Sequence, residues 1–221
     1  KFGVFPADNG CFSITMCAPE IEYEIRKAIV NPDVFQAMTT MLPGLRPWTD
    51  PALSEPTTKV FGMGDLQARW RDLVVDGKPA AHGYFAIGDN LIRTNPLYGR
   101  GCSFAAVAAY QLRDVLDQST DPVERALAYH QAIQTELKPF FDLMNKQDRA
   151  ALRRAKAALT PGYKPSLKAR LARSFAEDAV TIALRCDTDL LRQGMRGFHM
   201  LEHPEAWIKK PGNMARILMY W

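Results

Sequence analysis

YFAIGDNLIRTNPLYGRGCSFAAVAAYQLRDVL, residues Tyr84 to Leu116, decides how the rest of this chain is read. Tyr84, Phe85, Ala86 and Ile87 make a short apolar run with aromatic and β-branched side chains, which predicts a buried strand rather than a helix. Gly88 and Asp89 end it. From Asn90 to Gly101 the chain holds Asn95-Pro96 and Gly99-Arg100-Gly101, so neither strand nor helix can continue and a loop is expected. Beyond Gly101, the residues Ala105, Ala108, Leu112 and Val115 recur at helical spacing, with Cys102 or Ser103 where a cap would stand. This order sets a carboxylate, Asp89, at the carboxyl end of a strand and a glycine-rich turn at a helix N-terminus. Unpaired N–H groups and the helix dipole favour negative charge there. A ligand carrying hydroxyls and anionic oxygens suits such a site, although a Gly-Asp loop before an alanine-rich helix also serves as plain packing in α/β domains.

The combination is more specific than its parts. Ala86-Ile87-Gly88-Asp89, then Asn95-Pro96-Leu97-Tyr98-Gly99-Arg100-Gly101 and a small-residue helix, resembles the second flavin-binding motif of FAD-dependent oxidoreductases. The relatives in view are the aromatic-hydroxylase, tryptophan-halogenase and geranylgeranyl-reductase type. The resemblance implies that Asp89 accepts a hydrogen bond from the flavin ribityl chain and that Pro96 lies near the isoalloxazine. It also implies that the amides of Gly101 and Cys102 face the flavin oxygen at the pyrimidine edge, where negative charge develops on reduction. With Gly88, Asn95, Gly99, Arg100 and Ser103, these residues form the implied cofactor-binding set. Preorganised N–H donors aimed at an oxygen that gains charge are a large source of stabilisation, and a helix N-terminus supplies them. One departure stands out: Asn90 and Leu91 follow the aspartate where the family usually carries small residues.

A chain of 221 residues that is 47% hydrophobic is long enough to bury a sizeable core, which excludes a disordered class. The formal charge of +4 is uneven: residues 1–100 carry ten Lys/Arg against eleven Asp/Glu, and residues 101–221 carry eighteen against thirteen. Cys11, Cys17, Cys102 and Cys186 show no CxxC spacing, so neither a zinc ribbon nor a redox dithiol is indicated, and reduced thiols in a cytoplasmic setting are expected. No apolar stretch is long enough to span a membrane, and no signal peptide is visible. Flavoenzymes of the resembling family open with a strand, a G-x-G-x-x-G turn and a helix that grips the FAD pyrophosphate. Here only Gly62-Met63-Gly64 and Gly99-Arg100-Gly101 come near, and both lack the third glycine at the right spacing. The sequence starts at Lys1 and enters directly into an apparent strand. It is therefore read as a fragment, the C-terminal portion of a flavoprotein whose N-terminal FAD-binding half is missing.

Taken in order, Phe2 to Pro6 and Cys11 to Ala18 alternate around Asp8-Asn9-Gly10 and predict a β-hairpin with Phe12, Ile14 and Met16 on one face. In the resembling family a strand ending like Val4-Phe5-Pro6 belongs to the sheet that roofs the substrate pocket, which makes Phe5 a substrate-binding candidate. Geranylgeranyl reductases carry aromatic residues where this chain has Lys1 and Gly3, so their substrate is not assigned. Val34, Phe35, Met38, Met41 and Leu42 suit an amphipathic helix capped by Asn31 and stopped by Pro43-Gly44, with core packing as its role. After a proline-rich connector, Thr57 to Gly62 and Gln67 to Val75 read as strands, the second closed by Asp76-Gly77. One face of that second strand offers Arg69 and Trp70 to a substrate cavity, and a solvated edge is the equal alternative.

Asp121-Pro122 opens a helix running to about Leu137, Lys138-Pro139 interrupts, and a second run ends before Pro161-Gly162. Between Lys146 and Arg173 nine basic residues face a single acid, Asp148. Such a helical face could meet nucleic acid or an anionic membrane, but without nucleic-acid motifs a solvated surface is the expectation, and no nucleic-acid partner is expected. A further helix from Ser166 to about Arg185 presents Leu167, Leu171, Phe175, Ala179 and Ile182 at core spacing. His199-Met200-Leu201-Glu202-His203 matches HxxEH, the inverted zinc-peptidase pattern, yet Pro204 follows at once and little chain remains for a distal ligand, so no metal site is assigned.

The expected fold class is α+β, part of an α/β FAD-binding fold. Antiparallel substrate-domain strands come first, followed by a strand-loop-helix FAD segment and a C-terminal helical region. The expected divisions are a β-rich substrate-binding region (1–80), the C-terminal segment of the FAD-binding domain (81–118) and a helical region (119–221). No side chain reads as a nucleophile, so the catalytic residues stay unassigned. The resemblance implies an oxidoreductase, a flavin monooxygenase-like enzyme acting on an apolar organic substrate, with FAD reduced by NAD(P)H or a partner reductase. A flavin reductase or halogenase is the runner-up, and a binding module that has lost the cofactor is the alternative outside enzymes.

Overall fold

Asn9 and Gly10 both take the left-handed backbone that a tight hairpin turn demands (φ 58° and 69°), and Cys11 N–H closes the turn on the Asp8 carbonyl at 3.1 Å. The computed structural model describes residues 1–64 and 66–221. Its two units are Lys1–Leu66 with Leu152–Leu159, and Gln67–Ala151 with Thr160–Trp221.

In the first unit β1 (Phe2–Pro6) pairs antiparallel with β2 (Phe12–Met16), and Phe12, Ile14 and Met16 are half-buried on one face, as the alternation predicts. The edge of Phe12 meets Trp48 at 5.0 Å. A short helix, α1 (Tyr23–Ala28), precedes α2 (Pro32–Met41), whose Asn31 cap accepts from the amides of Asp33 and Val34. Thr39 and Leu45 are fully buried, whereas Met41, expected on the packed face, is 77% exposed. Thr57 to Gly62 is not a strand, because no neighbouring segment among the described residues supplies a ladder.

Extended residues become sheet in the second unit only where a partner lies alongside. Gln67 to Val75 therefore breaks into β3 (Arg69–Trp70) and β4 (Val74–Val75). β4 turns through Asp76-Gly77, both left-handed, into β5 (Lys78–Pro79), and β3 pairs with β6 (Ile92–Arg93), Trp70 opposite Ile92. The expected strand at Tyr84 to Ile87 has extended backbone at Ile87 but no ladder; the Ala86 carbonyl instead accepts from the Tyr129 hydroxyl at 2.8 Å. Residues 1–80 thus hold a few short antiparallel pairs rather than a β-rich layer. The molecule is mixed α+β, 56% helix against 8% strand.

Helices carry the core. Phe104, Ala108 and Val115 of α3 (Gly101–Gln118) pack with Tyr129 and Ile133 of α4 (Pro122–Glu136) and with Phe140, Phe141 and Met144 of α5 (Lys138–Leu159). Asp121 caps α4 at the amides of Val123 and Glu124, and the helix breaks at buried Leu137. A separate cluster joins Ala179 and Ala183 to Leu190 of α8 (Thr188–Phe198) and Ile217 of α10 (Pro211–Leu218), with Trp207 of α9 (Ala206–Lys209) beside it. The helix expected from Ser166 to Arg185 is really α6 (Leu167–Ser174), a π-helical stretch (Phe175–Val180) and α7 (Thr181–Cys186). Leu167 and Leu171, expected in the core, are 69% and 51% exposed, because the cluster that takes Phe175 and Ala179 does not reach past Ser174. Among the described residues no helix is long and apolar enough to cross a membrane.

Candidate cofactor site

The loop before α3 is built by its own sequence. Asn95 Oδ1 accepts from the Leu97 amide at 3.0 Å, Pro96 starts a single 3₁₀ turn (Pro96–Tyr98), and Gly99 closes it in the left-handed region (φ 63°, ψ 24°). Helix hydrogen bonding then begins with Phe104 N–H on the Arg100 carbonyl at 2.9 Å. Cys102 and Ser103, expected as caps, lie inside the helix; Arg100 occupies the cap position, and no side chain among the described residues caps α3. A residue with a long cationic side chain cannot accept from amides, so the N–H groups of Gly101, Cys102 and Ser103 stay uncapped. Cys102 and Ser103 are exposed, and a Cβ added at Gly99 or Gly101 would meet nothing within 4 Å.

The polar side chains of the loop turn the other way. Asn95 Nδ2 and the Tyr98 hydroxyl both donate to Asp148 Oδ1 on α5 at 3.0 Å, and Tyr98 also reaches the Met144 carbonyl. Burial, then the Asp148 carboxylate, pushes the Tyr98 phenol up to about 12. The Arg100 guanidinium lies over the rings of Phe198 (5.0 Å) and Phe140 (5.8 Å), and Nη2 donates to the Phe198 carbonyl at 2.8 Å. Its Nε is buried without a hydrogen-bond partner among the described residues, and burial lowers the guanidinium pKa, with Tyr98 opposing. Asn95 and Arg100 therefore anchor the loop instead of lining its open side.

Gly88 to Asn90 form a 3₁₀ turn seated on α3: Gly88 is left-handed (φ 60°), and a Cβ there would stand 3.6 Å from the Ala105 methyl. Asp89 is exposed at the crest of this turn, held from below by buried Ala86 and Leu91. Gly88, Asp89, Pro96, Gly99, Gly101, Cys102 and Ser103 thus share one helix end. The left-handed positions are Gly88 and Gly99, not Gly101, so only close approach of a ligand would require glycine at 101. That helix end therefore presents an exposed carboxylate, uncapped amides and open space over Gly99 and Gly101.

The three substrate candidates stand in different settings. Trp70 sits in the core against Phe141 (5.3 Å) with Lys138 over its ring, Arg69 is exposed opposite Arg93, and Phe5 belongs to the first unit, 57% exposed. A cavity of about 20 Å³ between Trp70, Leu73, Tyr129 and His130 has room for one water molecule, far too little for an aromatic ring system. His130 meets Asp72 at 3.3 Å beside it. The HxxEH histidines both lie past the last helical residue of α8, Phe198, where Met200 is left-handed (φ 63°) and Leu201 N–H returns to the Arg196 carbonyl. Glu202 is taken by Arg196 at 2.7 Å, so the pattern does not form a helical ligand pair. Asp148 and Tyr98 escaped the sequence reading as site residues, although Asp148, alone among nine basic residues, was the available signal.

Scans against protein-family models, curated proteins and solved structures each return no match to this chain.

Proposed function

We propose that this chain is the C-terminal part of an FAD-dependent oxidoreductase, a flavin monooxygenase-like enzyme acting on an apolar organic substrate. The observation that carries the reading is the division of labour in the NPLYGRG loop. Its polar side chains are spent on Asp148 and Phe198, which leaves backbone N–H groups and glycine faces open beside Asp89. In this reading Asp89 accepts from ribityl hydroxyls, and the Gly101 and Cys102 amides stabilise charge on the pyrimidine oxygen. FAD supplies the hydride or oxygen transfer, with electrons from NAD(P)H or a partner reductase, and a GxGxxG-bearing half holds its pyrophosphate. Visible absorbance of the longest natural form of the protein tests it: a bound-flavin spectrum supports the reading, and no flavin even after added FAD removes it. In the flavin-bound form, Asp89→Ala should weaken FAD binding by about 1.5 to 3 kcal/mol, as for a lost charge-assisted hydrogen bond.

A further inference from the structure

α6 buries none of its residues, although it is capped by Ser166, whose Oγ accepts from Ala169 N–H, and runs without a break into a packed segment. Its far end is fixed: Trp221 donates from Nε1 to Ser174 Oγ at 2.9 Å and meets the Phe175 ring edge-on at 5.4 Å. Two helical turns therefore stand out from an anchored base. At 100° per residue Leu167 and Leu171 fall side by side, with Lys168 on one flank and Arg170 on the other. Tyr163 and Lys164, just before the cap, are exposed as well. Arg173 pairs with Glu177, whereas Lys164, Lys168 and Arg170 have no carboxylate partner among the described residues. From residue 149 to 176 the sequence holds no acid at all.

We propose that residues 163–174 dock on an anionic lipid surface. An apolar stripe bracketed by cations with an aromatic ring at its edge satisfies both halves of a headgroup boundary: acyl chains take Leu167 and Leu171, and lipid phosphates take Lys164, Lys168 and Arg170. Nucleic acid would engage the cations alone and leave two leucines in water. This inference stands apart from the cofactor reading and draws on none of its residues.

Co-sedimentation of the whole protein with vesicles tests it. Binding to phosphatidylcholine vesicles that contain phosphatidylserine, with little binding to phosphatidylcholine alone, is the expected result. Lys168→Ala or Arg170→Ala should each weaken it by roughly fivefold, the share of one cation near an anionic surface. Leu167→Ser together with Leu171→Ser should weaken it by about tenfold or more. All four side chains lie outside both cores, so an unchanged circular dichroism spectrum and melting curve show that the variants are folded. Absence of vesicle binding overturns the proposal, as does binding that the leucine changes leave untouched. Tighter binding to a mixed-sequence RNA oligonucleotide, lost with the cations and indifferent to the leucines, would also overturn it.

Discussion

α3 and α6 carry the same kind of amphipathic pattern and end in opposite places. α3 brings Phe104 and Ala108 to near-zero exposure because α4, α5 and β6 lie within reach of that face. α6 presents Leu167 and Leu171 at equivalent spacing and covers neither. Periodicity thus says that a helix has an apolar side. What lies opposite decides whether that side is core.

The largest loss is expected at Phe104. Phe104→Ala should cost about 3 to 5 kcal/mol in urea unfolding, since a fully buried ring leaves a cavity between three helices. A loss under 1 kcal/mol would mean that the α3 face is not the core described here. Alkaline titration probes the same region. Burial pushes the Tyr129 phenol up to about 12, and Tyr98 likewise, so both are protonated in the fold at pH values where the unfolded chain has begun to ionise. Stability held below pH 10 is then lost as pH rises toward about 12, and tyrosinate absorbance should show these two of the seven tyrosines ionising together with unfolding. Tyr129→Phe should flatten that loss; an unaltered alkaline limb would exclude Tyr129 as its source.

A smaller effect sharpens the loop side. Asp148→Ala strands the Asn95 amide and the Tyr98 hydroxyl and should cost about 1.5 to 3 kcal/mol, read as a lower melting temperature. It should also loosen the loop before α3, seen as faster hydrogen exchange at Gly99 and Gly101. The smallest expected effect belongs to α6: Leu171→Ala should stay within about 0.5 kcal/mol of the parent. A cost of several kcal/mol would mean that Leu171 is buried in solution and would end the contrast.

Local chemistry was legible where one residue determines one backbone event. Asn9-Gly10 and Asp76-Gly77 turn, Asn31 and Asp121 cap, and the helix opened by Asp121-Pro122 stops just before Lys138-Pro139, each as read from the sequence, because the left-handed backbone, the short acceptor side chain or the missing proline N–H acts within a few residues. Strand assignments failed at Tyr84 to Ile87 and Thr57 to Gly62 for the opposite reason. A strand exists only with a neighbour, and neighbours are non-local.

The site divides along the same line. By itself the sequence determined the interruption at Gly88-Asp89 and the Asn-Pro turn with its glycine exit, because dihedral preference and the Asn95 side-chain acceptor act on adjacent residues. Tertiary structure alone decided that Asn95 and Arg100 face inward, that Asp148 ties the loop to α5 and that Leu167 and Leu171 stay in water. Those outcomes depend on which groups meet across fifty to a hundred residues of chain (53 from Asn95 to Asp148, 98 from Arg100 to Phe198), and desolvation and hydrogen-bond partners are set only when they do.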